Sequence, residues 1–331
     1  MTVEANSTSL GLWYIAAGMA ELRPAPLDAP RSGEARLVML WSGISRGTER
    51  LVFSGRVPHS EYERMRAPMQ EGSFPFPVKY GYCAVARVEA GPADLLGKAV
   101  FCLHPHQNAF NAPADRLTAL PPGLSPRRAT LAANMETALN AMWDSGAGPG
   151  DRIVVVGAGL VGLLVAYLAA WMPGADVTVV DLDPDRAPIA KSFGADFVTP
   201  AQFQDAHHAG ADIVFHASAS PAGLALALSA GGLEARIVEM SWYGEGATAT
   251  PLGGAFHSRR LHIVSSQVGH VAPSRRPRWN YARRLGKALE LLADDKLDAL
   301  ITGDVAFADL PGALPGLLAA GAKGLATAVR Y

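Results

Sequence analysis

Residues 153–172, IVVVGAGLVGLLVAYLAAWM, run for twenty residues without a charge. A run of that length is long enough to cross a bilayer as a helix, so whether it lies in lipid or in a protein core decides everything else. Its first four residues, Ile153 to Val156, are β-branched and follow the turn sequence GPGD. Glycines interrupt its middle, and a second β-branched run, VTVV, follows the break at PGAD. These are the marks of a buried strand, a tight turn and a buried helix in an α/β sheet. The segment is therefore read as one strand-turn-helix unit rather than as a membrane span.

Gly157, Gly159 and Gly162 stand as G-x-G-x-x-G between that strand and that helix. The first glycine permits the tight turn, the second lets backbone approach a pyrophosphate, and the third lets helix and strand pack closely. Leu160 and Val161 open the helix, whose N-terminal amides and dipole favour the phosphate charge. Nineteen residues after Gly162, at the end of the next strand, Asp181 stands where an acid holds a ribose diol. A carboxylate there repels the 2′-phosphate of NADP, so NAD is the expected cofactor. Arg186 either flanks the adenosine ribose or leans on a phosphate. Asp183 is expected to cap the next helix, with Pro184 in its first helical position. The plain alternative, a glycine-rich turn in an α/β core, leaves Asp181 unexplained.

The 331 residues accommodate about two domains. From Leu37 to Pro122 the chain reads as short β-rich runs (ARLVMLW, YCAVARVEA, KAVFCLH, DRLTAL) broken by Gly and Pro, which predicts a small barrel or sandwich. After Ser125 the alanine-rich stretch PRRATLAANMETALNAMWDSGA predicts a helix, and strands and helices then alternate as far as Leu261–Ser265. That rhythm predicts a doubly wound parallel sheet over 126–266. The tail adds a long helix, NYARRLGKALELLADDK, and a returning strand within GAKGLATAVRY, so residues 1–125 are expected to be completed by 267–331. A net charge of −1 gives no field that gathers nucleic acid or an anionic membrane, which leaves a small molecule as the partner. Two cysteines are too few for a disulfide framework, and residues 1–18 lack the basic start of an export signal, so the expected compartment is the cytoplasm.

A β-rich domain of about 120 residues, a nucleotide-binding domain and a returning tail together resemble the medium-chain dehydrogenase/reductase superfamily over essentially the whole chain. The anchors are PVKYGYCAVARVEAG, PADRLTALPPGLS and GAFHSRRLHIVSSQVG. The resemblance implies a GroES-like N-terminal domain, a Rossmann domain, and a homodimer paired through the last sheet strand around Leu261–Ser266. In the alcohol dehydrogenase branch a catalytic zinc takes Cys and His ligands. The positions that match here are Ser45, Tyr82 and Ala133, with Cys83 beside them, and the four-cysteine structural lobe is replaced by FCLHPHQNAF. The resemblance therefore implies no metal. WSGISRGTERLVFSGR is most similar to the zinc-free branch that includes the bacteriochlorophyllide hydroxyethyl dehydrogenases, which implies oxidation of a secondary alcohol and nothing about the substrate.

Without a metal, hydride chemistry at an alcohol carbon still needs a group that exchanges the proton and polarises the oxygen. Thr48 matches the family's proton-relay hydroxyl, Ser45 is the second candidate, and Tyr82 offers a phenol. Each has a structural alternative, as a turn cap, a backbone partner or a packed ring. His106 is a candidate acid-base group; with His104 it has strand spacing that puts both on one face, although Pro105 interrupts the strand. Cys102 is expected in the barrel wall. Glu49 and Arg50 are expected to form a local salt bridge, and Arg46 is a possible phosphate clamp. Thr137 matches a residue that relatives place against the nicotinamide, and Ser218 and Met240 follow the ends of two sheet strands, where ligands bind. The insertion 59–77 covers the substrate or forms a solvated hairpin, SWYG (241–244) extends a wall or a surface loop, and PSRRPRW (273–279) binds an anion or opens a helix.

The leading expectation is a zinc-independent NAD(H)-linked oxidoreductase interconverting a secondary alcohol and a ketone. Two alternatives stand beside it: an NAD(P)H-dependent enone or quinone reductase, and a nucleotide-binding or sensing protein without turnover.

Overall fold

A computed structural model of the chain describes residues 7–205 and 210–331; the start of the segment read for an export signal, residues 1–6, lies outside them. The chain divides into two compact units, Met1–Ala133 with Leu285–Tyr331, and Asn134–Arg284. The fold is the expected α/β combination of one parallel sheet with mixed and antiparallel sheets.

The Asn134–Arg284 unit is built on six parallel strands: Arg152–Val156, Asp176–Val180, Asp196–Val198, Ala211–His216, Gly231–Glu239 and His262–Ser265. Numbered along the chain, they lie in the order 3-2-1-4-5-6. The direction of winding reverses between the first and fourth strands, and ligands of doubly wound sheets bind outside the carboxyl ends of the strands at that point. The uncharged run divides as expected. Its strand buries Ile153 to Val156, its helix Leu160–Ala170 buries Leu163 to Tyr167, and Val154, Val156, Val214 and Ile237 join one core. Among the described residues no helix is long and apolar enough to cross a membrane.

The unit boundaries fall further along the chain than 125 and 266. Helix Ala132–Ser145 enters the second unit from Asn134, and the segment 267–284 stays with it. One buried side chain accounts for the second shift. Arg284, 2 % exposed, pairs with Glu136 at 2.9 Å, donates to Asn140 Oδ1 at 2.6 Å, and reaches the carbonyl oxygens of Val268 and His270. A guanidinium buried among four acceptors fixes every segment that supplies one.

The first unit contains a sheet in the order Ile301–Ala306, Ala326–Arg330, Glu34–Ile44, Ala84–Ala90, Ala99–Cys102, Thr118–Ala119, with Ala109–Pro113 also paired to Glu34–Ile44. The tail strand lies antiparallel to Glu34–Ile44 and parallel to Ile301–Ala306, so the predicted return is present. Ala35, Leu37 and Met39, alternate residues of Glu34–Ile44, turn inward and pack against Ala84, Ala86, Val88, Val100, Cys102 and Phe110. A second sheet begins with the hairpin Ser7–Ala16 and Met19–Leu27, which sequence reasoning did not assign. The insertion at 59–77 is mostly turns, with a short 3-10 helix His59–Glu61 and a two-residue strand Glu71–Gly72 paired to Val78–Lys79.

Candidate active site

The glycine turn of the second unit follows from contacts that a side chain at each position would make. Gly157 has φ +108°, and a Cβ there would meet the Ser218 backbone nitrogen at 2.8 Å. A Cβ on Gly162 would fall 1.9 Å from the Gly157 carbonyl oxygen, so helix and strand approach as closely as they do only because both residues are glycine. Gly159 differs: a Cβ there would meet nothing within 4 Å. It is the exposed N-cap of helix Leu160–Ala170 with no side chain capping it. The first helical amides, including those of Leu160 and Val161, have no intrahelical acceptor. Open space over free amides suits a pyrophosphate.

Asp181 ends the second strand and turns its carboxylate to the glycine loop, where it accepts from Ala158 N at 2.6 Å and from Asp183 N at 2.9 Å. Asp183 caps the short helix Pro184–Arg186, as its sequence predicts, and pairs with Arg186 at 3.2 Å. Ser218 lies past the end of strand Ala211–His216, its backbone against Gly157. Met240 follows strand Gly231–Glu239 and donates its backbone N–H to the His216 carbonyl at 3.0 Å. Thr137 is half-buried on helix Ala132–Ser145. These residues belong to one unit, and the turn, the acid and the strand ends fit a nicotinamide dinucleotide.

Sequence reasoning missed two ionisable residues at the same strand ends. His216 and Glu239 close adjacent parallel strands in register. Glu239 Oε2 lies 2.7 Å from His216 Nδ1, and His216 Nε2 lies 2.7 Å from Ser218 Oγ. Tyr243, in SWYG, donates to Glu239 at 3.3 Å, and burial pushes its phenol up to about 12. The signal was present: each apolar run, DIVFH and ARIVE, ends on an ionisable residue.

In the first unit, strand Glu34–Ile44 leads through Ser45 into helix Arg46–Phe53, which carries the loop SGISRGTER. The side chains of Ser45 and Thr48 both interact with the Tyr82 phenol, so the three candidate hydroxyls form one cluster. Burial is the main reason that Tyr82 holds its proton far above the usual phenol range, with Cys83 and Glu49 adding to it. On the same helix as Thr48, Glu49 is fully buried. It accepts from Tyr14 Oη at 2.7 Å and from Ser45 N at 2.8 Å, and His106 Nε2 stands 3.2 Å away. His106 is 1 % exposed, and its other nitrogen meets Ser42 Oγ at 2.7 Å, which in turn meets Tyr331 Oη at 3.0 Å. His106 thus meets the loop through the Glu49 carboxylate.

Two expectations for this loop are corrected. Glu49 and Arg50 form no local salt bridge, because Glu49 turns inward while Arg50 donates to the carbonyls of Leu318 and Ala319. Arg46 is no phosphate clamp, since it grips the carbonyls of Ala322, Lys323 and Gly324. His104 and His106 lie outside the strands, as the interruption by Pro105 predicts. They lie in the loop before Ala109–Pro113, where His104 stacks on Phe110 at 3.5 Å and burial lowers its pKa to about 3. Cys102 is in the barrel wall, as expected, its thiol pushed up to about 12 by burial. In PSRRPRW, Arg275 lies over Trp143 and Trp279 packs on the same ring.

The positions matched to zinc ligands hold the Ser45 hydroxyl, the Tyr82 phenol and the Ala133 methyl. Cys83 is buried, and both burial and Glu49 raise its thiol pKa. Among the described residues no three His, Cys, Asp or Glu side chains gather as a metal would require.

Comparison with known proteins agrees with this architecture. Residues 161–287 match the family model of zinc-binding dehydrogenases. An uncharacterized zinc-type alcohol dehydrogenase-like protein of Haemophilus influenzae is 28 % identical over 221 residues, which cover 64 % of this chain and 60 % of that protein. The match thus spans about three fifths of that relative's length. L-idonate 5-dehydrogenase of Escherichia coli superposes with a TM-score of 0.81 at 14 % identity, covering 99 % of each chain. An alcohol dehydrogenase of Escherichia coli CFT073 complexed with NADH superposes with a TM-score of 0.78 at 16 % identity, covering 98 % of this chain and 100 % of the other. The matched segment is thus similar to zinc-binding dehydrogenases, and the fold is the one these solved dehydrogenases share.

Proposed function

We propose that this protein is a zinc-independent, NAD(H)-linked oxidoreductase of the cytoplasm that interconverts a secondary alcohol and a ketone. The observation that carries the reading is the Tyr82–Ser45–Thr48 hydroxyl cluster, in a chain whose other unit holds an open glycine turn with an acid at the next strand end. The nicotinamide ring supplies or accepts the hydride. The chain's part is to manage the oxygen: in the reducing direction Tyr82, which keeps its proton through neutral pH, donates to the carbonyl oxygen and delivers the proton as the carbon is reduced. Ser45 and Thr48 stabilise the phenolate that this leaves and pass a proton from water back to it. The reverse sequence oxidises the alcohol.

The donors present do not fit a catalytic zinc. Ser45 is engaged with Tyr82, Ala133 has no donor, and the Cys83 thiol is held protonated. Asp181 supports NAD over NADP, because a 2′-phosphate would meet its carboxylate. Secondary alcohols of polyol type are the first substrates to try, given the L-idonate enzyme of the same fold. The strand His262–Ser265 ends the parallel sheet with most of its residues exposed, which supports a homodimer formed there. The loop also keeps the reading of a zinc-free subgroup of the superfamily.

The test is NADH consumption by the purified protein with ketones and with enones, alongside elemental analysis. Ketone-dependent oxidation that survives chelation, with no stoichiometric zinc, is expected. Turnover of enones alone would favour the reductase alternative, in which Tyr82 holds an enolate oxygen. Tight NADH binding without any turnover would favour a sensor. Thermal shifts with NADH and NADPH test the cofactor preference, and sedimentation tests the dimer.

A further inference from the structure

A cavity of about 290 Å³ lies in the first unit, and none of Ser45, Thr48, Tyr82 or His106 lines it. Its wall includes Asp28, Arg31 and Glu34, between strands Met19–Leu27 and Glu34–Ile44, with Glu71 of the insertion and His104 over Phe110. His104 decides what the cavity can hold. The ring is 3 % exposed and stacks on Phe110 with centroids 3.5 Å apart. Burial keeps it neutral, and Nδ1 lies 2.9 Å from the Pro105 carbonyl oxygen, so the one ring proton sits on Nδ1 and is donated there. Nε2 is left as a lone pair without a partner among the described residues. The one side-chain polar atom among them that is both sealed and unpartnered is Gln70 Nε2. The His104 nitrogen is therefore not sealed, and it opens on the cavity that its residue lines. An acceptor so placed is satisfied only by a donor from outside the chain.

The other polar groups of the wall favour the same kind of ligand. The amides are already spent: Gln107 donates to Ser9 and Ala109 and accepts from Lys79, while Asn111 donates to the Asp28 carbonyl and accepts from Arg36. The carboxylates keep capacity. Glu34 uses one oxygen on the Arg31 amide, Glu71 pairs with the buried Lys79, and the Asp28 carboxylate meets no partner among the described residues. Three carboxylates stand against Arg31 and, through Glu71, Lys79, so the wall carries one negative charge in excess. We propose that this cavity binds a small molecule through a primary ammonium group, whose N–H bonds go to His104 Nε2 and to the carboxylates beside it. The volume admits a molecule of about ten non-hydrogen atoms. An alkali ion or a quaternary ammonium brings the charge but no N–H for the imidazole. A transition metal lacks its ligands, since no three His, Cys, Asp or Glu side chains gather for one among the described residues. The proposal is independent of the redox reading above.

Calorimetric titration of the whole protein with ethanolamine, choline and potassium chloride, at neutral pH and constant ionic strength, tests this. Ethanolamine is expected to saturate one site with a dissociation constant of about 1 mM, in keeping with so small a ligand. Choline, which has the same charge and no N–H, should bind at least about tenfold more weakly, the size of one hydrogen bond to a charged group. Potassium should show no binding. His104→Phe keeps a ring over Phe110 and removes the acceptor, so ethanolamine should weaken by about tenfold. Asp28→Asn alters an exposed side chain and should weaken it about threefold through the lost charge. If His104→Phe fails to fold, the ratio of ethanolamine to choline and the Asp28→Asn variant decide the matter. No saturable binding of ethanolamine, equal binding of choline, or wild-type affinity in either folded variant overturns the proposal.

Discussion

Two side chains carry most of the chemistry proposed for this protein, and each is testable alone. Asp181 accepts two backbone N–H groups, which orients its carboxylate without covering it. Asp181→Asn should weaken NADH binding and improve NADPH binding, narrowing the preference by roughly tenfold, the effect of one charge in partly aqueous surroundings. Calorimetric titration with both cofactors checks it, and an unchanged ratio would remove the argument for NAD. Tyr82→Phe removes one oxygen and leaves the ring in place. We expect kcat to fall by about 10²-fold with the cofactor dissociation constant unchanged, because a hydrogen-bond donor to the reacting oxygen is lost and nothing that binds the dinucleotide is touched. If kcat survives, Tyr82 is a packed ring and the proton passes elsewhere. The glycine signature and Asp181 were legible in sequence because their chemistry is local: backbone freedom, a helix terminus and an acid at fixed offsets. Glu49 was not, since a short helix gives no hint that Tyr14 and His106, from distant segments, will bury its carboxylate.

At the scale of elements, the strand-turn-helix unit separates folding from binding within three glycines. Gly162→Ala would place a Cβ 1.9 Å from the Gly157 carbonyl, in a turn already closed by the Ser218 backbone. It should cost about 3–4 kcal/mol, a large value for one methyl, because backbone on both sides leaves no route for relaxation. Gly159→Ala would place its methyl in open space. It should melt within a degree or two of wild type yet bind NADH at least about tenfold more weakly, since the methyl occupies the approach of the pyrophosphate to the backbone. Thermal unfolding with and without NADH separates the two effects. Equal loss of stability in both variants would mean that the space over Gly159 is not a ligand site.

For the whole molecule, the outcome depends on how far apart in sequence the partners are. Arg128 donates from both Nε and Nη2 to Asp298 at 2.8 Å and also reaches the carbonyls of Leu292 and Ala293, joining the end of the β-rich segment to the returning tail. The Arg128 bond holds the Asp298 carboxyl below its usual range. Its folded pKa is therefore depressed, so the stability it contributes is full above the unfolded value near ~3.9 and is lost as the pH falls through the folded one. Asp298→Asn should lower Tm by roughly 1–3 °C at pH 7, a small effect because the carboxylate is half exposed. The difference from wild type should shrink below about pH 4. A gap that stays constant into acid would show that the pair contributes nothing through charge.

What the sequence determined alone is whatever depends on neighbours along the chain: the division of the uncharged run into strand and helix, the glycine turn with its acid, the alternation of strands and helices, and the tail's β-character. Those follow from periodicity and backbone freedom, which are set within a few residues. What only tertiary structure decided is which charges are buried and with whom. Arg284 holds 267–284 to Glu136, Arg46 and Arg50 are spent on the tail's carbonyls, and His216 meets Glu239 across two strands. The reason is that a buried charge is tolerated only where its partners converge, and that convergence belongs to the sheet's strand order rather than to any stretch of sequence.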